Sequence, residues 1–371
     1  MSRAISHTAM LPVESVRIGT FQIPTDLPES DGTLEWDATT LVVIEITSGK
    51  TTGLGYTYGN ASVAEILASP LAGMLEGRDA ADIPALWSAL SARLRNVGRQ
   101  GVSAMAISAI DVALWDLKAR HLSVPLIQLL GAARSRLLVY GSGGFTSYTD
   151  RQLEEQFSDW AARGVTRFKM KVGREFVRDP ERVRSARAVI GPDAQLFVDA
   201  NSAYSRSEAL EFGTRFADDC DVRWLEQPLP PEDLNGLRFL RERTPAKLEI
   251  ADGEYGYDLD YFRRVLEADA IDVVMADLTR CGGITGFLKV AALCDAWSLP
   301  LSSHCAPALH VHPGCAVPAL RHAEYFHDHA RIERMLFDGA PALVDGALTP
   351  DLSRVGHGLE FKWPDAERYA R

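Results

Sequence analysis

The sequence reads QLFVDAN at residues 195–201, VRWLEQ at 222–227 and KLEIADGE at 247–254, and each stretch is an apolar run that closes on an acidic residue. The acidic residues are spaced by 27 (226 − 199) and 28 (254 − 226) positions. A β-strand and the helix that returns the chain to the next parallel strand together take about 25 to 30 residues. The period therefore predicts consecutive βα units of one parallel barrel.

In such a barrel the carboxyl ends of neighbouring strands face one shared pocket. Asp199, Glu226 and Glu254 would meet there, and three adjacent carboxylates repel each other unless a divalent cation lies between them. Ligands that are all oxygen suit Mg²⁺. A single carboxylate of this kind is more often a solvated loop residue or a helix N-cap. Three at corresponding positions favour one magnesium ion per subunit.

Strand-like stretches alternate with amphipathic helical stretches after Gly131, as in DRQLEEQFSDWAARG (150–164). There are eight strand candidates, the number that closes a (β/α)8 barrel of the TIM type. Besides the three stretches quoted above, they are LLVYGSG (137–143), TRFKMKV (166–172), DVVMADL (272–278), PLSSH (300–304) and RHAEYF (321–326).

The first 130 residues have a different pattern. VESVRIGTF (13–21) and TTLVVIEIT (39–47) are rich in β-branched residues and predict strands. The Pro-, Asp- and Ser-rich stretch between them, residues 24–32, predicts a mobile loop, and residues 53–60 predict a second loop. AMAISAIDVALWDLKAR (104–120) is composed largely of strong helix formers with apolar positions on most faces, which predicts a buried helix.

We therefore expect an α/β protein with two domains. Residues 1–130 would form an α+β capping domain, and residues 131–345 a (β/α)-barrel catalytic domain. Residues 346–371 would form a C-terminal tail that returns to the capping domain. A chain of 371 residues has room for a barrel of about 250 residues and one smaller domain.

The composition is that of a globular protein, with 46% hydrophobic and 24% charged residues. A net charge of −11 without any Lys/Arg-rich block argues against nucleic acid as a partner. The five scattered cysteines predict reduced core thiols. The N-terminus lacks the apolar run of a signal peptide, and no run of 18 apolar residues occurs. We expect a soluble, cytoplasmic protein that does not bind membranes.

Two lysines precede the acidic series by one βα unit. Lys169 and Lys171 are two positions apart in a predicted strand, so their side chains share one face. Two surface lysines would give the same pattern, but the apolar neighbours and the place before the carboxylates favour the barrel interior. Two adjacent ammonium groups disfavour each other's proton, which predicts a lowered lysine pKa and a usable base.

Asp277 closes the sixth strand candidate and His304 the seventh. Neighbouring strand ends allow a carboxylate–imidazole hydrogen bond, which would fix the histidine tautomer and raise its basicity. Glu324, in the eighth strand candidate, either points at the same site or is a solvated glutamate. Asn201 is left open between helix capping and support of the metal site, and Asp252 between ligand and support for Glu254.

Five further histidines follow His304, and their spacing matches no ordinary structural zinc pattern. We expect most of them to line a polar pocket or to lie on the surface. They are His310, His312, His322, His327 and His329.

Taken together, these segments resemble the enolase superfamily, specifically its mandelate racemase subgroup, over nearly the whole chain. The resemblance rests on the AISAIDVALWDL helix, the KMK pair, the VDAN, LEQP and ADGE segments, ADLTRCGGITG with its Asp277, and the SSH triplet. Each motif alone is weak, but the combination is specific.

The resemblance implies that a cap closes over the carboxyl face of the barrel and that Asp199, Glu226 and Glu254 bind Mg²⁺. It implies that Lys171 is one acid/base catalyst and that Lys169 helps to hold a substrate carboxylate. His304, oriented by Asp277, would be the other acid/base group, and a protonated Glu324 would donate a hydrogen bond to the developing enolate. Members of the family commonly form dimers or octamers, so a homo-oligomer is expected.

In this family, the intermediate formed by removing the α-proton of a carboxylate can react further in two ways. Loss of a β-hydroxyl makes the enzyme a sugar acid dehydratase, which the polar cap and histidine-rich segments favour. Reprotonation on the opposite face makes it a racemase or epimerase of a 2-hydroxy acid. Cycloisomerases and dipeptide epimerases of the superfamily carry a second catalytic lysine after strand 6, where this chain has Asp277, Thr279 and Arg280, and this argues against both activities.

Two hypotheses from other classes are weaker. A catalytically idle barrel that binds metal and ligand would not need the acid/base pair. A zinc-barrel hydrolase would carry its HxH pair at the end of the first strand, whereas His310 and His312 come after the seventh.

Overall fold

A closed barrel of eight parallel strands forms the larger part of the molecule. The computed structural model describes residues 10–371. The strands follow one another in chain order around the ring, and the last pairs with the first through Ala323↔Val139 to Phe326↔Ser142. They are β4 (Leu137–Gly143), β5 (Arg167–Lys171), β6 (Gln195–Asp199), β7 (Val222–Glu226), β8 (Glu249–Asp252), β9 (Val273–Ala276), β10 (Leu301–Ser303) and β11 (Leu320–Phe326). All eight predicted strands are confirmed.

Helices cover the outside of the barrel, and several begin with the caps that their sequences encode. Thr149 and Ser205 each accept the backbone N–H three residues on, while Gln152 and Glu208 bond back to the cap residue, which makes two capping boxes. The barrel helices are α6 (Asp150–Ala162), α7 (Asp179–Ile190), α8 (Arg206–Cys220), α9 (Leu234–Arg241), α10 (Leu259–Glu267), α11 (Gly283–Trp297), α12 (Pro307–Ala316) and α13 (His327–Leu336).

The N-terminal part forms a three-stranded antiparallel sheet followed by helices, as expected of an α+β cap. Its strands are β1 (Ser15–Ser30), β2 (Glu35–Ser48) and β3 (Thr51–Gly59). Its helices are α1 (Ala61–Ile66), a π-helical turn (Leu67–Leu71), α2 (Ala72–Leu75), α3 (Ile83–Arg93), a 3-10 turn (Leu94–Asn96), α4 (Val102–His121) and α5 (Leu126–Leu130).

The long helix α4 joins the cap to the barrel. It packs closely against β3, where a Cβ on Gly55 would lie 2.1 Å from the Ala109 carbonyl oxygen. On its other side, Ser108 Oγ accepts the Gly282 N–H at 2.9 Å and Asp111 accepts the Thr285 N–H at 2.8 Å, at the start of α11. The predicted burial of this helix is confirmed, and it explains why apolar residues occur on most of its faces.

The C-terminal residues run back to the cap sheet. β14 (Glu360–Phe361) pairs with β12 (Phe337–Asp338), and α14 (Trp363–Ala366) is followed by a 3-10 turn (Glu367–Tyr369). β13 (Ala347–Leu348) pairs with β4 at the barrel edge. Phe361 and Trp363 both pack against the ring of Phe21. The exact domain boundaries at residues 130 and 345 stay a prediction.

Both loops predicted in the cap are wrong. Residues 24–30 belong to β1, with Glu29 opposite Trp36, and the register shifts between Pro24 and Glu29. A bulge accommodates Pro24, which has no N–H to give to the ladder. Residues 53–59 belong to β3, where Gly53 and Gly55 lie against α4 because a larger residue would clash with its backbone.

The burial of the histidine-rich segment also differs from the expectation. His310, His312, His322 and His329 are buried, and burial lowers the pKa of each. They pack and accept hydrogen bonds as neutral rings rather than lining a polar pocket or lying on the surface. His327 is the partly exposed member of the five.

The five cysteines are free and buried, as predicted. Across residues 10–371, no helix combines the length and the apolarity that a membrane crossing requires.

His312 makes the stability of the cap–barrel junction pH-dependent. Its Nδ1 accepts the N–H of Ile127 in α5 at 3.1 Å, and burial lowers its pKa to about 4, against about 6.5 in an unfolded chain. Because the unfolded chain binds the proton more readily, stability is full above pH 6.5 and is lost as the pH falls toward 4. Between pH 8 and pH 5 we expect the wild type to lose about 2 kcal/mol more than His312→Asn, which keeps an acceptor that does not titrate.

The measurement is urea unfolding at the two pH values. His121→Asn, at an exposed position, is the control and should behave as the wild type. Equal pH dependence in the wild type and in His312→Asn would contradict the assignment.

Candidate active site

Three carboxylates meet at the carboxyl ends of β6, β7 and β8. One oxygen each of Asp199, Glu226 and Glu254 lies within 4.8 Å of the others, and all three side chains are buried. Adjacent parallel strands bring them together, since Asp199 pairs in register with Glu226. None of the three is a helix N-cap, and the N-cap of α8 is Ser205.

The donor set fits a magnesium ion. Every ligand atom is a carboxylate oxygen, the type that Mg²⁺ prefers. Glu254 Oε2 is buried and finds no hydrogen-bond partner within residues 10–371, although His304 Nε2 lies 3.3 Å away. Burial and the neighbouring Asp199 raise the pKa of Glu226 well above its usual range. A divalent cation would give Glu254 Oε2 a partner and would displace the proton from the carboxyl group of Glu226.

The floor below the carboxylates is apolar and rigid. Tyr140, Phe197 and Trp224 fill the barrel interior, with ring centroids 5.1 Å apart for the stacked pair Phe197–Trp224. Trp224 Nε1 donates to Glu226 Oε2 at 2.8 Å. On the neighbouring strand the Asn201 N–H donates to Asp199 Oδ1 at 3.0 Å, which fixes the orientation of that carboxylate.

The two lysines point into the barrel, as predicted, but their electrostatics differ from the expectation. Lys171 Nζ lies 2.5 Å from Asp199 Oδ2. Lys169 Nζ contacts Asp199 at 3.2 Å, Glu324 at 2.7 Å and also Glu226. The surrounding carboxylates outweigh both burial and lysine–lysine repulsion, so that the pKa of each lysine is raised, not lowered.

Asp277 and His304 form the predicted dyad. His304 Nδ1 lies 2.9 Å from Asp277 Oδ2, while Asp277 Oδ1 accepts the N–H and the hydroxyl of Thr279, both at 2.7 Å. The bond to His304 holds the pKa of Asp277 well below its usual range despite burial. The carboxyl therefore carries no proton, so His304 Nδ1 must donate, and Nε2 faces the carboxylate cluster.

Glu324 points into the site, which decides between the two orientations considered. Its Oε1 accepts the Ser142 hydroxyl at 2.6 Å and an N–H of Lys169, and its Oε2 accepts the Cys305 N–H at 2.7 Å. Lys169 holds the pKa of Glu324 well below its usual range despite burial. In this arrangement the carboxylate only accepts, and the protonated Glu324 expected beside a bound substrate stays a prediction.

Asn201 and Asp252, left open by the sequence, lie beside the cluster and not in it. Asp252 Oδ1 accepts the Tyr261 hydroxyl at 3.2 Å, and burial raises the pKa of Asp252 to about 8. Asn201 contributes its backbone N–H to Asp199 and lines an open cavity of about 440 Å³ together with Thr33, Ser202, Tyr255 and Tyr257.

Two residues in the site were not predicted from the sequence. Ser142 lies two positions after Tyr140 on β4, so the two-residue strand period would have placed both side chains on the inner face. Cys305 directly follows His304, and its Sγ lies 3.4 Å from His304 Nε2. Its backbone is left-handed, with a φ of 50°, a turn that the sequence does not reveal.

The cap closes the mouth of the barrel. The Thr33 hydroxyl donates to the Asn201 carbonyl at 3.3 Å, and the Thr57 hydroxyl donates to the Thr279 carbonyl at 2.9 Å. At the tip of the β1–β2 hairpin, a Cβ on Gly32 would lie 2.6 Å from the Ala200 carbonyl oxygen. The hairpin thus lies directly on the loop that follows β6, and the side chains of the carboxylate cluster are buried beneath the cap.

Comparison with known families agrees with this geometry. Residues 152–366 match the family model described as enolase C-terminal domain-like, and residues 23–131 match that of the mandelate racemase / muconate lactonizing enzyme N-terminal domain. The matches cover more than half of the chain, so this protein belongs to the mandelate racemase / muconate lactonizing enzyme family of the enolase superfamily.

Individual relatives indicate which kinds of enzyme within this family the chain is similar to. A 3,6-anhydro-alpha-L-galactonate cycloisomerase of Streptomyces coelicolor is 35% identical over 97% of this chain and 99% of its own. A mandelate racemase/muconate lactonizing enzyme-like protein from Rubrobacter xylanophilus is 51% identical, with a TM-score of 0.95 over 97% of this chain and 100% of its own. L-Talarate dehydratase from Polaromonas sp. JS666, complexed with Mg and L-glucarate, is 31% identical, with a TM-score of 0.87 over 97% of each chain.

The chain is therefore an enzyme, and magnesium is its cofactor, as the all-oxygen cluster predicted. Its relatives include acid-sugar dehydratases and cycloisomerases.

Glu254→Gln tests the ligand set. Excess Mg²⁺ at a hundred times its Kd should stabilise the wild type by about 2.7 kcal/mol through binding to the folded state alone. The variant should lose most of this Mg²⁺-dependent stabilisation, because a neutral amide replaces the carboxylate that offers Oε2 to the ion. Thermal unfolding with and without Mg²⁺ measures the difference.

Glu249→Gln is the matched control, since Glu249 begins the same strand, β8, and pairs with Arg321 at its other end. It should respond to Mg²⁺ as the wild type does. A full Mg²⁺ response in Glu254→Gln would remove Glu254 from the ligand set.

Proposed function

We propose that this enzyme removes the α-proton of a sugar acid and then eliminates the β-hydroxyl as water, which gives a 2-keto-3-deoxy acid. The observation that carries this proposal is the arrangement of two nitrogen bases around one carboxylate cluster. Lys171 reaches Asp199 at 2.5 Å from β5, and His304 reaches Glu254 at 3.3 Å from the end of β10. A protein that only binds metal and ligand needs no such pair, which disfavours the idle barrel.

Asp199, Glu226 and Glu254 would hold Mg²⁺, with the substrate carboxylate beside it. When bound, the ion supplies positive charge where negative charge develops on that carboxylate. This charge is needed because the α-proton of a carboxylate is very weakly acidic and its removal yields a doubly negative enediolate.

Lys169 would neutralise part of the same charge from the inner side of the pocket. Its ammonium group is fully buried and its raised pKa keeps it protonated, so it acts as a fixed cation. Glu324, which accepts from Lys169 and Ser142, would hold that lysine in place. A contact of this kind is worth about 3 to 4 kcal/mol in a water-excluded site.

Lys171 and His304 would transfer the protons, and a positioned base contributes about 10²–10⁴-fold. One of them takes the proton from C2. The bond between C3 and its hydroxyl oxygen then breaks, the other group donates a proton to that oxygen, and water leaves. The resulting enol gains a proton at C3 and loses the proton of its C2 hydroxyl, which gives the 2-keto acid, so the atoms balance.

A polyhydroxylated substrate suits the surroundings. A cavity of about 440 Å³ adjoins the cluster at Asn201, whose N–H bonds to Asp199, although no proposed catalytic or metal-binding residue lines it. It carries the side-chain oxygens of Thr33, Ser202, Tyr255 and Tyr257 beside apolar side chains. Hydroxyl groups and an amide offer several hydrogen bonds to a sugar chain, whereas an aromatic hydroxy acid would favour an apolar cavity. The Polaromonas relative, crystallised with L-glucarate, supports a sugar acid.

The proposal is tested by incubating the Mg²⁺-loaded enzyme with a library of sugar acids and detecting 2-keto acids. At least one acid should turn over. In D₂O, the wild type should also exchange the α-proton of a bound acid, and Lys171→Ala combined with His304→Ala should abolish both reactions.

Deuterium exchange without any keto acid would favour the racemase or epimerase alternative. Neither exchange nor turnover with any acid, in a protein that binds Mg²⁺, would favour the idle barrel.

Asp277→Asn tests the dyad separately. Asparagine can present its NH₂ to His304 Nδ1, which forces the proton onto Nε2 and gives the wrong tautomer for a base. We expect kcat to fall by about 10²–10⁴-fold with little change in KM. Asp295→Asn, at an exposed position on α11, is the control for loss of one charge. An unchanged kcat in Asp277→Asn would exclude the dyad from the reaction.

Ring opening of an anhydro sugar acid is a second candidate, favoured by the 35% identity to the Streptomyces coelicolor cycloisomerase. In a 3,6-anhydro acid the ether oxygen sits on C3, so α-proton removal and β-elimination open the ring and give an isomer. This chemistry needs no second lysine, so the presence of Asp277, Thr279 and Arg280 after β9 does not argue against it. Mass spectrometry distinguishes the two, because dehydration lowers the mass by one water and ring opening does not change it.

A further inference from the structure

A second group of metal-binding side chains lies outside the barrel pocket, where the cap meets the last barrel strand. One carboxylate oxygen each of Asp26 and Glu29 and a ring nitrogen of His327 lie within 4.8 Å of one another. Asp26 and Glu29 belong to the bulged end of β1, whereas His327 is the first residue of α13, directly after β11. The cluster therefore bridges the two parts of the molecule.

Glu29 provides the observation that points to a ligand. Its side chain is 1% exposed, and Oε2 accepts the indole N–H of Trp36 at 2.8 Å. Oε1 is buried and lacks a hydrogen-bond partner in the part of the chain that the structure describes. Because leaving such an atom unsatisfied is destabilising, an unpaired buried carboxylate oxygen indicates a missing partner.

Asp26 and His327 offer the remaining ligands and a route to solvent. His327 Nε2 lies 2.9 Å from Asp26 Oδ2 and 3.1 Å from Oδ1, and the side chains are 22% and 42% exposed, respectively. Both line an open cavity of about 220 Å³ between α6 and α13. An ion could enter through this cavity, and water could fill its remaining coordination positions.

The local charge also suits a divalent cation. Asp328 adds a third carboxylate near Asp26 and Glu29, but it is occupied by the Thr39 hydroxyl and by Arg331 at 2.5 Å. Arg331, on α13, also donates to the Pro24 carbonyl at 2.6 Å. Arg334 of α13 and Arg163 line the same cavity as Asp26 and His327, together with the carboxylates of Glu155 and Asp159. Three carboxylates against one guanidinium leave two negative charges when all are ionised.

We propose that Asp26, Glu29 and His327 form a second divalent metal site, which takes a transition metal such as Zn²⁺ and fastens the cap hairpin to the barrel. An imidazole with two carboxylates suits Zn²⁺ better than Mg²⁺, which prefers oxygen ligands alone. Gly32, at the tip of the same hairpin, packs against the loop that follows β6. The ion would therefore help to hold the hairpin over the active site. This proposal does not depend on which sugar acid is the substrate.

Equilibrium dialysis against micromolar Zn²⁺ in saturating Mg²⁺ tests it. The wild type should bind one Zn²⁺ per chain more than His327→Ala, and in Glu29→Gln the affinity should fall at least about hundredfold, since losing even an outer-shell partner costs 10- to 100-fold. Glu29→Gln keeps an oxygen for the Trp36 indole, so it should fold. His121→Ala, at an exposed histidine, is the matched control and should bind as the wild type does.

Anomalous diffraction at the zinc edge gives an independent readout. A peak between Asp26, Glu29 and His327 supports the proposal. Equal zinc stoichiometry in the wild type and both variants would overturn it, and would mean that Asp26 and His327 only hydrogen-bond to each other. An unchanged Mg²⁺-dependent thermal shift in the variants separates this result from failure of the barrel site.

Discussion

Compensation of buried charge is the constraint on which this structure depends. Asp199, Glu226, Glu254 and Glu324 are collected within a closed pocket, and burying carboxylates without partners is very costly. Lys169 and Lys171 supply two positive charges, which leaves room for one divalent cation. The same balance raises the pKa of both lysines and lowers that of Glu324. The pocket is therefore organised for a metal before any substrate arrives.

The fold makes this concentration of charge possible because different parts of the barrel carry the charged groups and the apolar core. Strand ends carry the charged groups, while Tyr140, Phe197 and Trp224 fill the barrel below them and keep the strands at fixed distances. The cap then excludes water, through the contact of Gly32 with the Ala200 carbonyl and through the hydrogen bond from Thr57 to Thr279. Burial strengthens every charge interaction inside the pocket, which the proposed enediolate would require.

Cap and barrel are connected at several points, and the junctions differ in chemistry. Helix α4 joins them through packing and through Ser108 and Asp111, whereas the Asp26–Glu29–His327 group joins them through charge. Packing changes little with solution conditions, but a charged junction responds to ions. The hairpin over the active site is held by the hydrogen bond from Thr33 to Asn201 and by the packing of Gly32, and the proposed second metal site would add a contact that depends on ions.

The sequence by itself determined the barrel, its eight strands, the three carboxylates, the lysine pair and the dyad, because a regular βα period and strand alternation act through neighbours in the chain. It did not determine the course of residues 24–32 and 53–60, where a bulge and close packing on α4 override the loop-like composition. It also misjudged the lysine pKa values and the burial of four histidines. Those properties were decided by tertiary structure alone. Each depends on charges and apolar surroundings supplied by residues far away in the chain, because Coulomb and desolvation energies depend on distance in space.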